Sequence, residues 1–210
     1  MKARPVTVDS LAAGLADRAV AAAGDHPARV AVDGAPTAGT EALTAALTTA
    51  LADAGVPVLH VPAGGFLRAA SLRFERGKTN PDAFYEDWLD QRALTREVLT
   101  PAGPGGTGRI LPSLWDPATD RATRAGYVTL PGHAVLVVSG VFLLGAGLDF
   151  DLAVHLMQSD AALARRTPPE TAWTLPAYGR YRDEVMPEYQ ADVVVRADDP
   201  RHPAVVTDLG

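Results

Sequence analysis

Cysteine is missing from all 210 residues, and lysine is almost missing, with Lys2 and Lys78 the only two. The first absence excludes disulfides, thiolate nucleophiles and cysteine-based zinc sites together. The five histidines (His26, His60, His133, His155 and His202) share no short ligand spacing, so the sequence shows no metal site. No apolar run approaches the ~20 residues that a membrane-spanning helix needs. The longest, at 134–138 and 141–144, is interrupted by Ser139-Gly140 and reads as a buried strand. A basic excess is absent too: 19 basic against 25 acidic residues give a formal net charge of −6. That balance offers no electrostatic reason to bind nucleic acid or an anionic membrane. The first residues carry no secretory-type apolar segment, so the expectation is a soluble, cytoplasmic protein.

What is present suits one globular domain: 47% hydrophobic and 21% charged residues over a length that buries a full core. Asp9-Ser10 starts a helix that carries Leu11, Leu15 and Val20 and stops at Gly24. Arg29 to Asp33 reads as a β-branched strand, and Leu43, Leu47 and Leu51 form one face of a helix ending at Gly55. Val56 to Val61 is a second strand, which closes a right-handed strand–helix–strand unit. Pro81 to Val98 reads as a helix capped by Asn80, with Asp82, Glu86 and Asp87 in its early turns. The segments 109–115 and 125–130, around Asp116 to Asp120, suggest a β-hairpin. Strands follow at 134–138 and 151–157, and helices at 160–165 and 176–189. Val193-Val194-Val195 makes the last strand. Strands alternating with helices predict an α/β fold with a mostly parallel sheet flanked by helices.

In such a sheet the ligand pocket lies beyond the carboxyl ends of the strands. One of those ends, Asp33-Gly34-Ala35-Pro36-Thr37-Ala38-Gly39-Thr40-Glu41, has the G-x-x-x-x-G frame of a phosphate-binding loop between a strand and a helix. The two chemical positions differ: Thr40 stands where the frame has Lys, and Glu41 where it has Ser or Thr. The residues alone leave two readings open, an altered nucleotide loop and a strand-to-helix turn kept for its backbone geometry.

At this point the chain resembles the uridine kinase-like P-loop nucleoside kinases. The resemblance runs from Arg29 to about Pro203 and rests on the order of several stretches: Val-Ala-Val-Asp-Gly at 30–34, Phe66-Leu67-Arg68, Asn80 to Tyr85, Leu114 to Pro117, Phe150 to Leu156, Ala164-Arg165-Arg166, and the tail from Tyr181 to Val195. It implies a single P-loop kinase-like domain over 1–210. Residues 1–27 would be a helical extension, 109–130 a hairpin over the substrate pocket, and 164–175 a short lid. It also implies a nucleoside pocket drawn from Asp82, Phe84, Tyr85, Trp115 and Asp116, and lid arginines at Arg165 and Arg166 that clamp a transferring phosphate. The same residues have plainer roles: Asp82 as a helix-dipole partner, Phe84, Tyr85 and Trp115 as packing, and the arginines as C-terminal dipole partners.

The departures fall where the family does its chemistry. Besides Thr40 and Glu41, the stretch that should carry the base reads Ala63-Gly64-Gly65-Phe66, and Ser139 stands where an acid is usual before Gly140. Losing one preorganised donor costs roughly 10²–10³ in rate. A carboxylate ~4 Å from a phosphate oxygen is repelled by on the order of 4 kcal/mol at a surface-like dielectric. These residues predict that Glu41 itself fills the anion seat at the helix N-terminus. On that view Thr40→Lys with Glu41→Thr creates ATP affinity. A competing expectation has Glu41, with Asp33, ligating Mg²⁺.

Two functions therefore stand. One is a catalytically silent relative that binds a nucleoside, a nucleotide or a protein partner, which the residues favour. The other is an ATP- and Mg²⁺-dependent uridine or cytidine kinase with an atypical loop. Lys78 reads as a solvated loop charge, His155 as a core histidine, and Ser139 as part of no triad.

Overall fold

The computed structural model describes residues 2–209. The first half of the chain runs β1 (Lys2–Pro5), α1 (Val8–Ala22), β2 (Ala28–Gly34), α2 (Thr40–Asp53), β3 (Val58–Pro62), α3 (Ala70–Arg73), α4 (Pro81–Glu86), α5 (Gln91–Leu94) and α6 (Thr100–Ala102). The second runs β4 (Arg109–Ile110), β5 (Trp115–Asp116), β6 (Arg121–Ala122), β7 (Val128–Thr129), β8 (Val135–Gly140), β9 (Leu152–Met157), α7 (Asp160–Arg166), α8 (Leu175–Val185), α9 (Pro187–Gln190), β10 (Val193–Arg196) and β11 (Ala204–Asp208).

Seven strands form one sheet in the order β1-β11-β10-β9-β2-β8-β3. The five strands from β10 to β3 are parallel, and β11 and β1 extend the sheet antiparallel. β2 lies inside the sheet between β8 and β9, and all seven of its residues are buried. That is why it reads as a continuous apolar run instead of an alternating one. The two faces split by parity. Val30, Val32, Val135 and Val137 pack with Leu11 and Leu15 of α1 and with Leu43, Leu47 and Leu51 of α2. Ala31, Leu136 and Val138 pack on the other face with Phe66, Leu94, Val98, Leu99 and Ile110. The α/β class with a mostly parallel sheet is as the residues predict.

Four local expectations change. The helix expected over 81–98 breaks after Glu86, because the backbone of Trp88 and Asp90 pairs with the segment after β3. Arg68 N–H donates to the Trp88 carbonyl at 2.8 Å and Asp90 N–H to the Phe66 carbonyl at 2.9 Å. Asp90 then caps the restart by accepting from Ala93 N–H at 2.9 Å. The single hairpin becomes two short ladders, β4 with β7 and β5 with β6. The helix expected over 176–189 divides at Met186, whose φ of 50° is left-handed and precedes Pro187. Val193–Arg196 is followed by a further strand: β11 pairs with both β10 and β1, and neither outer strand was expected. Both are short, and β1 is mostly exposed, so they lack the apolar pattern that marks β2 and β8. Among the described residues no helix is long and apolar enough to cross a membrane.

Candidate functional site

The loop from β2 to α2 starts from two glycines that the fold demands. Gly34 passes so close to β9 that a side chain there would meet the Leu156 carbonyl at 2.9 Å. Gly39 has φ +84°, and a Cβ on it would sit 2.8 Å from the Pro200 ring. Between them Pro36–Ala38 winds into a 3-10 turn. Ala38 N–H donates to the Ala35 carbonyl at 2.9 Å and Gly39 N–H to the Pro36 carbonyl at 3.3 Å, while Pro36 has no N–H to give. The turn is tied to the end of β9 as well. Thr37 Oγ1 donates to Gln158 Oε1 at 2.8 Å, and Gln158 Nε2 donates to the carbonyls of Thr37 (3.2 Å) and Ala197 (3.0 Å). Phosphate loops work by aiming free backbone N–H groups at an anion. Here the amides of residues 36, 38 and 39 are missing or already used.

Glu41 does not fill the seat. It is exposed and makes no hydrogen bond or ion pair with a described residue, so the expected self-neutralised loop is replaced by one closed through its own backbone. Both Asp33 oxygens are engaged in hydrogen bonds and Glu41 makes none to that network, so the two carboxylates expected to share Mg²⁺ are not joined here. Thr40 is buried, with its methyl beneath Gly34.

The other chemical positions are equally changed. Ala63–Phe66 forms a 3-10 turn in which Gly64 leaves open space and Gly65 packs on Ser113. Ser139 Oγ lies 2.8 Å from His60 Nε2. Partial burial pulls the His60 pKa below its ordinary value, which favours the neutral ring. No described group orients its other nitrogen, so this pair lacks the third member of a nucleophilic triad.

The candidate pocket residues are each engaged by residues outside that set, and Trp115 and Asp116 share no partner with Asp82, Phe84 and Tyr85. Asp82 accepts from Arg180 Nη1 at 2.6 Å, and Arg180 also reaches Glu86 and Glu184 and stacks 4.9 Å over the Tyr85 ring. Phe84 sits among Trp88, Phe142, Trp173 and Tyr178 at centroid distances of 5.1–6.1 Å. Tyr85 packs edge-on against Phe142 and Tyr181. Trp115 Nε1 donates to Asp120 Oδ1 at 3.0 Å, and Asp116 caps the turn by accepting from Ala118 N–H and Thr119 Oγ1. Arg166 is held by the Asp198 carbonyl at 2.8 Å and Asp199 at 3.3 Å, whereas Arg165 is exposed and pairs with no described residue. Lys78 is exposed on the turn before α4.

One group at the sheet end is built for more than packing. Asp33, fully buried at the end of β2, accepts from Leu143 N–H (2.9 Å) and Tyr181 OH (3.0 Å) and pairs with His155 Nδ1 at 2.7 Å. Tyr181 OH in turn accepts from Leu144 N–H at 3.1 Å. Burial, with the Asp33 charge behind it, pushes both the Tyr178 and the Tyr181 hydroxyl pKa upward. Beside this network opens a cavity of about 70 Å³, bounded by Gly34, Ala35, Phe142, His155, Tyr178 and Tyr181. Sequence reasoning placed His155 in the core and gave Tyr181 and Gln158 no role. Their positions at or opposite the carboxyl end of β9 were the available signal.

Thirty-nine chains of solved structures are similar to this fold. A possible uridine kinase from Bacillus stearothermophilus superimposes with a TM-score of 0.70 at 19% identity, covering 88% of this chain and 97% of its own. A "putative fructose transport system kinase" from Silicibacter sp. TM1040 gives 0.63 at 23% identity, with 86% and 95% covered. The YGR205w protein gives 0.64 at 11% identity, with 97% and 100% covered. No family model and no curated protein matches the sequence. Over nearly the whole of its length, the chain has the fold of the uridine kinase-like P-loop kinases.

Proposed function

We propose that the chain is a catalytically silent protein on a P-loop kinase fold, which binds a small molecule at the carboxyl end of its sheet and transfers no phosphate. The observation that carries this reading is the closed loop of Gly34 to Glu41: no cation, no hydroxyl at the metal position, and the amides of Ala38 and Gly39 spent inside the turn. Phosphoryl transfer depends almost wholly on positioning and on neutralising charge at the phosphates. Of the groups that would do this, all but Arg165, which is exposed and unpaired among the described residues, are gone or engaged. Thr40 replaces the lysine, the glycines at 64 and 65 replace the base, Ser139 bonds His60, and Arg166 bonds the loop at 198–199. The kinase names of two similar structures speak for the ancestry of the pocket.

The reading is tested by incubating the protein with γ-labelled ATP, Mg²⁺ and uridine or cytidine. The expected outcome is no labelled nucleotide above a protein-free blank. In a parallel thermal shift, nucleosides without phosphate stabilise the protein and Mg-ATP adds nothing. Labelled uridine or cytidine monophosphate overturns the reading.

A further inference from the structure

We infer that the groove between the segments 67–69, 90–92 and 114–115 binds a small organic acid: a single carboxylate on an apolar, ring-sized body. This goes beyond the proposed function. The groove shares no residue with the loop at 34–41, so its failure would leave that reading as it stands.

Backbone pairing fixes the three segments against one another. Leu67 and Leu89 form an antiparallel bridge, flanked by the bonds from Arg68 N–H to the Trp88 carbonyl and from Asp90 N–H to the Phe66 carbonyl. On the other side Leu114 N–H donates to the Gly65 carbonyl at 2.9 Å, and Asp120 accepts from both Trp115 Nε1 and Ala70 N–H. Between them lies a space of about 360 Å³, within the range of small-molecule pockets. Leu67, Leu72, Leu114 and the Trp115 indole give it apolar walls, and Leu72 is left 52% exposed.

The charges select the ligand. Arg68 and Arg92 border the same space, and neither guanidinium has a hydrogen bond, an ion pair or a ring partner among the described residues. Arg68 is half-buried, and leaving its donors unpaired there carries a desolvation cost that a bound anion would offset. One acid borders the groove too: Asp90, whose Oδ1 accepts from Ala93 N–H at 2.9 Å and which pairs with neither arginine. Two positive charges against one negative leave one to be balanced, which matches a carboxylate better than a dianionic phosphate. The flat guanidinium fork accepts both oxygens of a carboxylate, and the indole beside it packs on an apolar ring.

The test uses the full chain labelled with ¹⁵N and three probes that share one ring system: 1-naphthoate, 1-naphthalenemethanol and 1-naphthyl phosphate. The readout is the Trp115 indole N–H signal, identified by its loss in Trp115→Phe. Naphthoate should shift it saturably at millimolar concentration, and the neutral alcohol should bind at least about tenfold more weakly. Arg68→Gln and Arg92→Gln, which break no bond within the protein, should each weaken naphthoate about three- to tenfold with the melting temperature unchanged. Naphthyl phosphate should bind no more tightly than naphthoate. Asp90→Asn, which keeps a helix-capping oxygen, should improve the phosphate more than the carboxylate. The inference is overturned if no probe moves the Trp115 signal, if the alcohol binds as well as the acid, if neither arginine variant weakens naphthoate, or if the phosphate is the tighter ligand of the wild-type protein.

Discussion

Thr37 and Gln158 exchange hydrogen bonds: the threonine hydroxyl donates to the amide oxygen at 2.8 Å, and the amide nitrogen returns a bond to the threonine carbonyl at 3.2 Å. With the third bond to Ala197, the glutamine staples the loop after β2 to the far ends of β9 and β10. Gln158→Ala removes all three, so about 1–2 kcal/mol of stability should be lost in urea unfolding. Amide exchange at Ala38 and Gly39 should quicken relative to α2. If exchange there does not change, the staple does not hold the loop.

Because backbone bonds close the loop and Glu41 does not, relieving charge alone should not reopen it. Thr40→Lys with Glu41→Thr is expected to leave Mg-ATP affinity unmeasurable by calorimetry. Adding Pro36→Gly and Gln158→Ala to that pair frees the turn, and weak Mg-ATP binding should then appear. Affinity in the double variant would restore Glu41 as the blocking group.

Among the described residues, Arg29 and Asp151 make the one largely buried charge pair with two-pronged geometry, Nε to Oδ2 at 2.9 Å and Nη2 to Oδ1 at 2.8 Å, and Arg29 N–H adds a third bond at 2.8 Å. Burial alone would raise the Asp151 pKa, but the bonds from Arg29 outweigh it and hold the carboxyl below its ordinary value. A carboxyl lowered on folding contributes stability that is present above its unfolded pKa and is lost as pH falls through its folded one. Wild-type stability should therefore drop below about pH 4. Asp151→Asn, which strands the guanidinium, should cost about 3 kcal/mol at neutral pH and flatten that acid limb. An unchanged acid limb in Asp151→Asn would contradict the assignment.

The hairpin tip is fastened by Asp120, which accepts from Ala70 N–H at 2.7 Å and Trp115 Nε1 at 3.0 Å with Arg73 nearby. Asp120→Ala should leave the core melting transition in place and speed proteolytic cleavage between residues 116 and 125 several-fold. Equal cleavage rates in variant and wild type would show that other contacts hold the tip.

The core was legible because its physics is local. Leu43, Leu47 and Leu51 mark a helix face, and the apolar run of β2 marks a strand buried on both sides. Asn80 also caps its helix as the spacing implies, accepting from Ala83 N–H at 2.9 Å. What escaped depends on partners far along the chain. The helix after Asn80 breaks because Phe66 and Arg68 take its backbone groups, and β1 forms because residues about 200 positions away pair with it. The altered chemistry of Thr40, Glu41, Gly64 and Gly65 was plain in the residues. That the loop is closed through its own backbone and tied down by Gln158, and not filled by the Glu41 carboxylate, required the packing of the β9 and β10 ends.

The seat itself is tested most directly by titrating Mg-ATP into ¹⁵N-labelled protein while following the backbone amides of Ala38, Gly39 and Thr40. A closed seat predicts that these three signals stay in place at millimolar nucleotide, with or without a chelator. A saturable shift at Ala38 and Gly39 that the chelator reverses would mean that the loop still receives a nucleotide.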